Sequence, residues 1–148
     1  MITGFEELTE PLTEKEETVF LPPILQGLRA KIGREMAVTN KAIIQGLRVN
    51  RGIKISEARV RKIINHIRCN DLVPCLIATS EGYYIAQTEQ ELLDYEESLA
   101  GREDAIREVR MSIRRQRMCK YHKNEELFLD YDDSKMYQGR SVRVADSW

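Results

Sequence analysis

The sequence predicts a mainly α-helical (α+β) fold. The predicted architecture is a winged helix-turn-helix, with three helices and a β-hairpin wing, followed by a long C-terminal helix and an irregular tail. Three observations predict this order. Three segments with helical spacing of apolar residues begin at the capping residues Thr13, Thr39 and Ser56. Two β-rich runs around a glycine follow them directly. A second capping box, Thr88-Glu-Gln-Glu91, then opens a long helical pattern.

The first helix should begin at the capping box Thr13-Glu-Lys-Glu16 and end near Lys31. Pro22 and Pro23 lie inside it and should kink or divide it, because proline removes an N–H and clashes one turn back. Its apolar residues are expected to face inward; they are Val19, Leu21, Ile24, Leu25, Leu28 and Ile32.

The second helix should run from Asn40 to about Asn50 and end at Arg51-Gly52, where glycine favours a C-cap. A short turn leads from it into the third helix, Ser56 to Cys69. This bihelical unit is the one that places its second helix in the major groove of DNA.

The third helix is therefore interpreted as a recognition helix. One side is apolar, and the opposite side combines cations for phosphate with an amide that can pair with a base edge. The alternative is a basic, solvated face, because basic amphipathic helices also serve membranes and protein partners. The apolar side holds Val60, Ile63, Ile64 and Ile67; the other holds Ala58, Lys62, Asn65 and Cys69, flanked by Arg59, Arg61, His66 and Arg68.

A hairpin should form the wing. The runs Cys75–Thr79 and Tyr83–Ala86 are rich in β-formers and are separated by three residues, Ser80-Glu-Gly82. Gly82 can take the positive φ that such a connection requires. The tip carries no Lys or Arg.

Residues 89–117 are expected to form the long helix. Apolar residues recur along it at alternating spacings of three and four, as in a short coiled-coil seam that could join two copies in a homodimer. The alternative is that its first part packs on the domain and Gly101 breaks the helix. The seam is Leu92, Tyr95, Leu99, Ile106, Val109 and Ile113, with Arg102 at the apolar position that is missed.

These patterns divide the chain into four parts. Residues 1–12 are predicted to be a flexible acidic arm, 13–88 the winged-helix domain and 89–117 the long helix. Residues 118–148 are predicted to be a mostly disordered or partner-binding tail, with Leu127-Phe-Leu-Asp-Tyr131 set among acids.

Charge is distributed unevenly, although the 148 residues carry a formal net charge of −1. Residues 21–70 hold eleven Lys and Arg against two acids, whereas residues 1–20 sum to −5. A basic block in a nearly neutral chain is expected of a local nucleic-acid surface. Without a leader or a long apolar run, and with an odd three cysteines, we expect a cytoplasmic protein with no membrane partner.

Two stretches, Ala58-Arg-Val-Arg-Lys-Ile-Ile-Asn-His-Ile-Arg68 and Leu76-Ile-Ala-Thr-Ser-Glu-Gly-Tyr-Tyr-Ile85, also resemble small winged-helix proteins of bacteriophages and prophages. The opening of the long helix, Glu91-Leu-Leu-Asp-Tyr-Glu-Glu-Ser-Leu-Ala-Gly-Arg102, extends the likeness, which covers roughly residues 13–116. The resemblance implies a DNA-binding domain, found in regulators and replication proteins alike. It implies contacts from Arg59, Arg61, Lys62 and Asn65.

We therefore expect a sequence-preferring, double-stranded DNA-binding protein that acts in transcription or replication control. No motif or set of nucleophile, base and orienter indicates an enzyme, and we expect no metal or cofactor. The alternative is a protein-interaction module, in which the winged helix is a scaffold and the acidic aromatic tail docks a partner. Base contacts are expected from Lys62 and Asn65, and phosphate contacts from Arg48, Arg51, Lys54, Arg59, Arg61 and Arg68.

Overall fold

The computed structural model describes residues 5–122 and is mainly helical, with one small antiparallel sheet. The chain divides into two compact units, residues 1–99 and 100–148. The elements are α1 (Phe5–Thr9), a π-helical turn (Glu16–Phe20), α2 (Leu21–Arg29), a 3-10 turn (Arg34–Met36), α3 (Asn40–Arg51), α4 (Glu57–Cys69), β1 (Leu76–Thr79), β2 (Gly82–Ile85) and α5 (Glu89–Tyr121).

The predicted capping box at the first helix is confirmed. The Thr13 amide donates to Glu16 Oε2 at 2.8 Å, and the Glu16 amide donates to Thr13 Oγ1 at 3.3 Å. Pro22 and Pro23 follow the π-helical turn and occupy the start of α2. Proline is tolerated there because the first N–H groups of a helix have no partner within it.

The predicted ends of the next two helices are also confirmed. Thr39 Oγ1 accepts from the Ala42 amide at 3.2 Å, and Ser56 Oγ accepts from the Arg59 amide at 3.3 Å. Gly52 closes α3 in the left-handed conformation, at φ 63°. These signals were readable from sequence because each bond spans a few residues.

The hairpin has a shorter turn than predicted. Thr79 pairs with Gly82, so Gly82 lies in β2 and the turn consists of two residues rather than three. Gly82 has φ 123°, and a Cβ there would lie 2.4 Å from the Val38 carbonyl oxygen. Glycine is required because the segment at Val38 forms an antiparallel bridge with β2, in which the Tyr83 amide donates to that same oxygen at 2.8 Å.

One hydrophobic core joins α2, α3, α4 and the hairpin. Two predicted inward residues are wrong: Val19 is 41% exposed and Ile32 is 55% exposed. Ile32 lies beyond the end of α2, where the chain leaves the helical path and forms a bridge to Ile85. The buried cluster consists of Phe20, Ile24, Leu28, Leu47, Val60, Ile63, Ile64, Ile67, Val73 and Leu76.

Part of the acidic arm that was predicted to be flexible is helical. Residues predicted to be flexible include α1, which packs against α4. The Asn65 side-chain amide donates to the Leu8 carbonyl at 3.2 Å. A segment of the arm therefore covers part of the third helix of the domain.

In the second unit the structure describes the continuation of α5 to Tyr121. The helix runs through Gly101, so the alternative in which glycine breaks it is wrong. None of its residues is buried. Most of the predicted tail lies outside the described residues. Across residues 5–122, no helix has the length and apolar character needed to span a membrane.

Candidate nucleic-acid interface

Five exposed cations lie where α3 ends and α4 begins. Gly52 ends α3 and Ser56 caps α4, so only a short connection separates the last turn of α3 from the first turn of α4. The two helices pack together. We call this set the basic cluster; it consists of Arg48, Arg51, Lys54, Arg59 and Arg61.

The cations of the basic cluster differ in their partners. Arg61 lies 2.6 Å from the Glu57 carboxylate, and both side chains are about half exposed. Arg51 donates to the Gln26 side chain at 2.9 Å. Arg48 and Lys54 form no ion pair with any residue in the described range. An exposed ion pair such as Arg61–Glu57 contributes little to stability. The Arg61 guanidinium can therefore leave Glu57 and bind a phosphate at little cost in free energy.

Lys62 does not lie on the exposed face, and the prediction of its exposure was wrong. The side chain is buried, and its ammonium lies 2.9 Å from Glu16 Oε2. The same carboxylate contacts Arg59 Nε at 3.2 Å through Oε1. Lys62 is therefore engaged inside the domain and cannot reach a base edge in this conformation.

The electrostatics at Glu16 follow from these contacts. Burial raises the pKa of the carboxyl, but the hydrogen bonds from Lys62 and Thr13 and the charges of Lys62 and Arg59 outweigh it. The net pKa lies below its ordinary value. The carboxylate thus remains charged and neutralises the cations around it.

Asn65 is half-buried beneath α1. Because its amide N–H is donated to Leu8, the donor expected to read adenine is occupied within the chain. The arm must move before this side chain can contact a base.

Arg68 is also engaged. It donates to the phenol oxygen of Tyr95, and its guanidinium carbon lies 5.5 Å from the centre of the Tyr95 ring. The predicted phosphate contact therefore packs α4 against the beginning of α5, as a cation over an aromatic face.

Sequence reasoning missed a cation at the tip of the wing. Arg34 Nε lies 2.8 Å from the Glu81 carboxylate, and both side chains are exposed. The Arg34 hydrogen bond lowers the pKa of Glu81. Arg34 reaches the hairpin because Gly33 and Val38 bond to β2, a long-range pairing with no local signal.

The described residues form no cluster of three or more His, Cys, Asp or Glu side chains arranged to hold a metal ion. The cysteines Cys69, Cys75 and Cys119 are free and exposed. Comparison of the chain with protein-family models, curated proteins and solved structures found no match.

Proposed function

We propose that this chain binds double-stranded DNA as a phage-type winged helix-turn-helix protein acting in transcription or replication control. The observation that carries the proposal is the basic cluster. It gathers exposed cations at the turn between two packed helices and at the N-terminal end of the second. Cations at this position suit phosphate contacts that fix a helix in the major groove.

The order of elements supports the same function. The helices α2, α3 and α4 precede a two-stranded hairpin, and the segment at Val38 adds a bridge to β2. The positive end of the α4 dipole also favours phosphate at the N-terminus of this helix. Arg48 and Lys54 would neutralise phosphates directly, whereas Arg59 and Arg61 would exchange a carboxylate for a phosphate.

Base reading is proposed for Asn65 once α1 leaves α4. Lys62 is excluded from this role because its ammonium is buried against Glu16. Residues 1–12 carry three acids, Glu6, Glu7 and Glu10, and no cation, so the position of α1 against the basic helix α4 also reduces the attraction of α4 to DNA.

The second candidate is a protein-interaction module. It is favoured by the engagement of Lys62, Asn65 and Arg68 within the chain, which leaves the predicted recognition face partly covered. In that case the tail, of which residues 123–148 lie outside the described range, would dock a protein partner.

Alanine substitution in the basic cluster separates the two functions. Arg48→Ala and Arg61→Ala should each weaken binding to every duplex by about 3- to 10-fold and reduce the salt dependence by about one unit. Arg29→Ala removes an exposed cation at the end of α2 that does not belong to the basic cluster, and it serves as the matched control. Equal effects of all three changes in fluorescence anisotropy would contradict binding through the basic cluster.

A further inference from the structure

We infer that the second unit carries a self-association surface, and that α5 of one copy pairs with α5 of another in antiparallel orientation. The surface is a stripe on one side of the helix. It consists of Ile106, Val109 and Ile113, which are 65%, 63% and 56% exposed. Their spacing of three and four residues is that of coiled-coil core positions.

Packing of this stripe on a second copy would stabilise the helix. Its 33 residues include no buried one, and helices in water draw most of their stability from packing of an apolar face. Three large apolar side chains on one stripe would bury against the same stripe of a second copy. Arg102 continues the stripe, and its aliphatic stem could cover the partner's Ile113 while the guanidinium reaches water.

The charges select a second copy and its orientation. Residues 89–104 contain seven acids and one Arg, whereas residues 105–121 contain six cations and one acid. A parallel pair would set like charges beside each other along the whole helix. An antiparallel pair sets the acidic half against the basic half, so the helix is complementary to itself.

One pair of flanking positions makes this specific. With Ile106 packed on the partner's Val109, Glu103 and Arg110 lie beside the seam and meet across it, twice by symmetry. In a parallel pair these two positions are about two turns apart and do not meet. A charge swap therefore reports the orientation.

The test is sedimentation equilibrium of the full chain over a range of concentrations. Ile106→Asp should abolish the dimer. Glu103→Arg and Arg110→Glu should each weaken it about 10-fold, because two attractive pairs become repulsive. The double variant Glu103→Arg/Arg110→Glu should restore association to near its original strength.

Glu108→Arg is the matched control, since it makes the same charge change one residue before Val109 on the side away from the seam. Circular dichroism of each variant checks that the helix is retained. If the chain is monomeric at every concentration, the proposed self-association is wrong. It is also wrong if residues 123–148 of the same chain bind the stripe in place of a second copy. A dimer that the double swap fails to rescue would overturn the antiparallel orientation.

Discussion

Lys62 and Glu16 lie 46 residues apart in the chain and meet in the interior, with 2.9 Å between Nζ and Oε2 and side chains that are 7% and 3% exposed. The pair joins the capping box at Thr13 to the middle of α4. It also removes from the surface a cation that helical periodicity places there. The N-terminal part of the domain and its third helix are thus fixed to each other by charge as well as by the core.

Removal of Glu16 should be costly. Glu16→Ala leaves the Lys62 ammonium buried without an anion, and we expect a loss of about 3 kcal/mol in the free energy of unfolding, measured by urea denaturation. Lys62→Met in the same chain should restore a large part of that loss, because no unpaired charge then remains. Glu57→Ala breaks an exposed pair and should cost at most about 1 kcal/mol. Equal losses for Glu16→Ala and Glu57→Ala would show that burial of the pair contributes nothing.

Stability should fall in acid through Glu16. Its folded pKa lies below the ordinary value of 4.5, so its contribution is complete above about pH 4.5 and is lost as pH falls through the folded pKa. Urea unfolding between about pH 7 and pH 3 should show this loss. Glu16→Gln should flatten that part of the profile. A Glu16→Gln profile parallel to that of the unchanged chain would contradict the assignment.

Removal of the arm should strengthen DNA binding. Deletion of residues 1–10 takes away α1 and its acids but keeps Leu12, which packs on the core, and the capping box. We expect about 10-fold tighter binding to duplex DNA at low salt in fluorescence anisotropy, because the face of α4 is uncovered.

Asn65 provides the specific control for this deletion. After selection of a preferred site from random duplexes, Asn65→Ala should relax the sequence preference of the shortened chain. The same substitution should change the preference of the full chain less, since there the amide is bonded to Leu8. Identical effects in both chains would mean that α1 does not cover a reading surface.

Gly82 should be intolerant of a side chain. Gly82→Ala would place a Cβ 2.4 Å from a backbone oxygen at φ 123°, so the hairpin must move away from the Val38 segment. We expect a loss of about 2 to 3 kcal/mol in urea unfolding. Gly46→Ala, in α3 with open space around the new methyl group, should instead stabilise the domain by up to about 1 kcal/mol. A neutral Gly82→Ala would indicate that the close approach is absent in solution.

Local features of this fold were predictable, and the long-range ones were not. Thr39, Ser56 and Gly52 act on residues within one turn, so their roles follow from the sequence itself. Gly82 was correctly singled out, but for the turn rather than for its approach to Val38. That approach depends on a pairing more than forty residues away, which no local pattern indicates.

The same distinction explains the candidate site. Periodicity correctly assigned the core side of α4, because Val60 and Ile63 are buried. It could not show that Glu16, Leu8 and Tyr95 would occupy the polar side, since each comes from a different element. From sequence, the only partner that the capping box predicts for Glu16 is the Thr13 amide. The ion pair with Lys62 arises from tertiary packing, so no local pattern indicates it.

Binding of the full chain to random duplex DNA at two salt concentrations is the most direct test of the proposed function. Five exposed cations that each contact a phosphate predict a slope of log K against log salt of about −4.5, so affinity should fall by about 10²-fold or more between about 50 mM and about 200 mM salt. Absence of binding at the lower concentration, for the full chain and for the chain without residues 1–10, would contradict DNA binding and favour a protein partner.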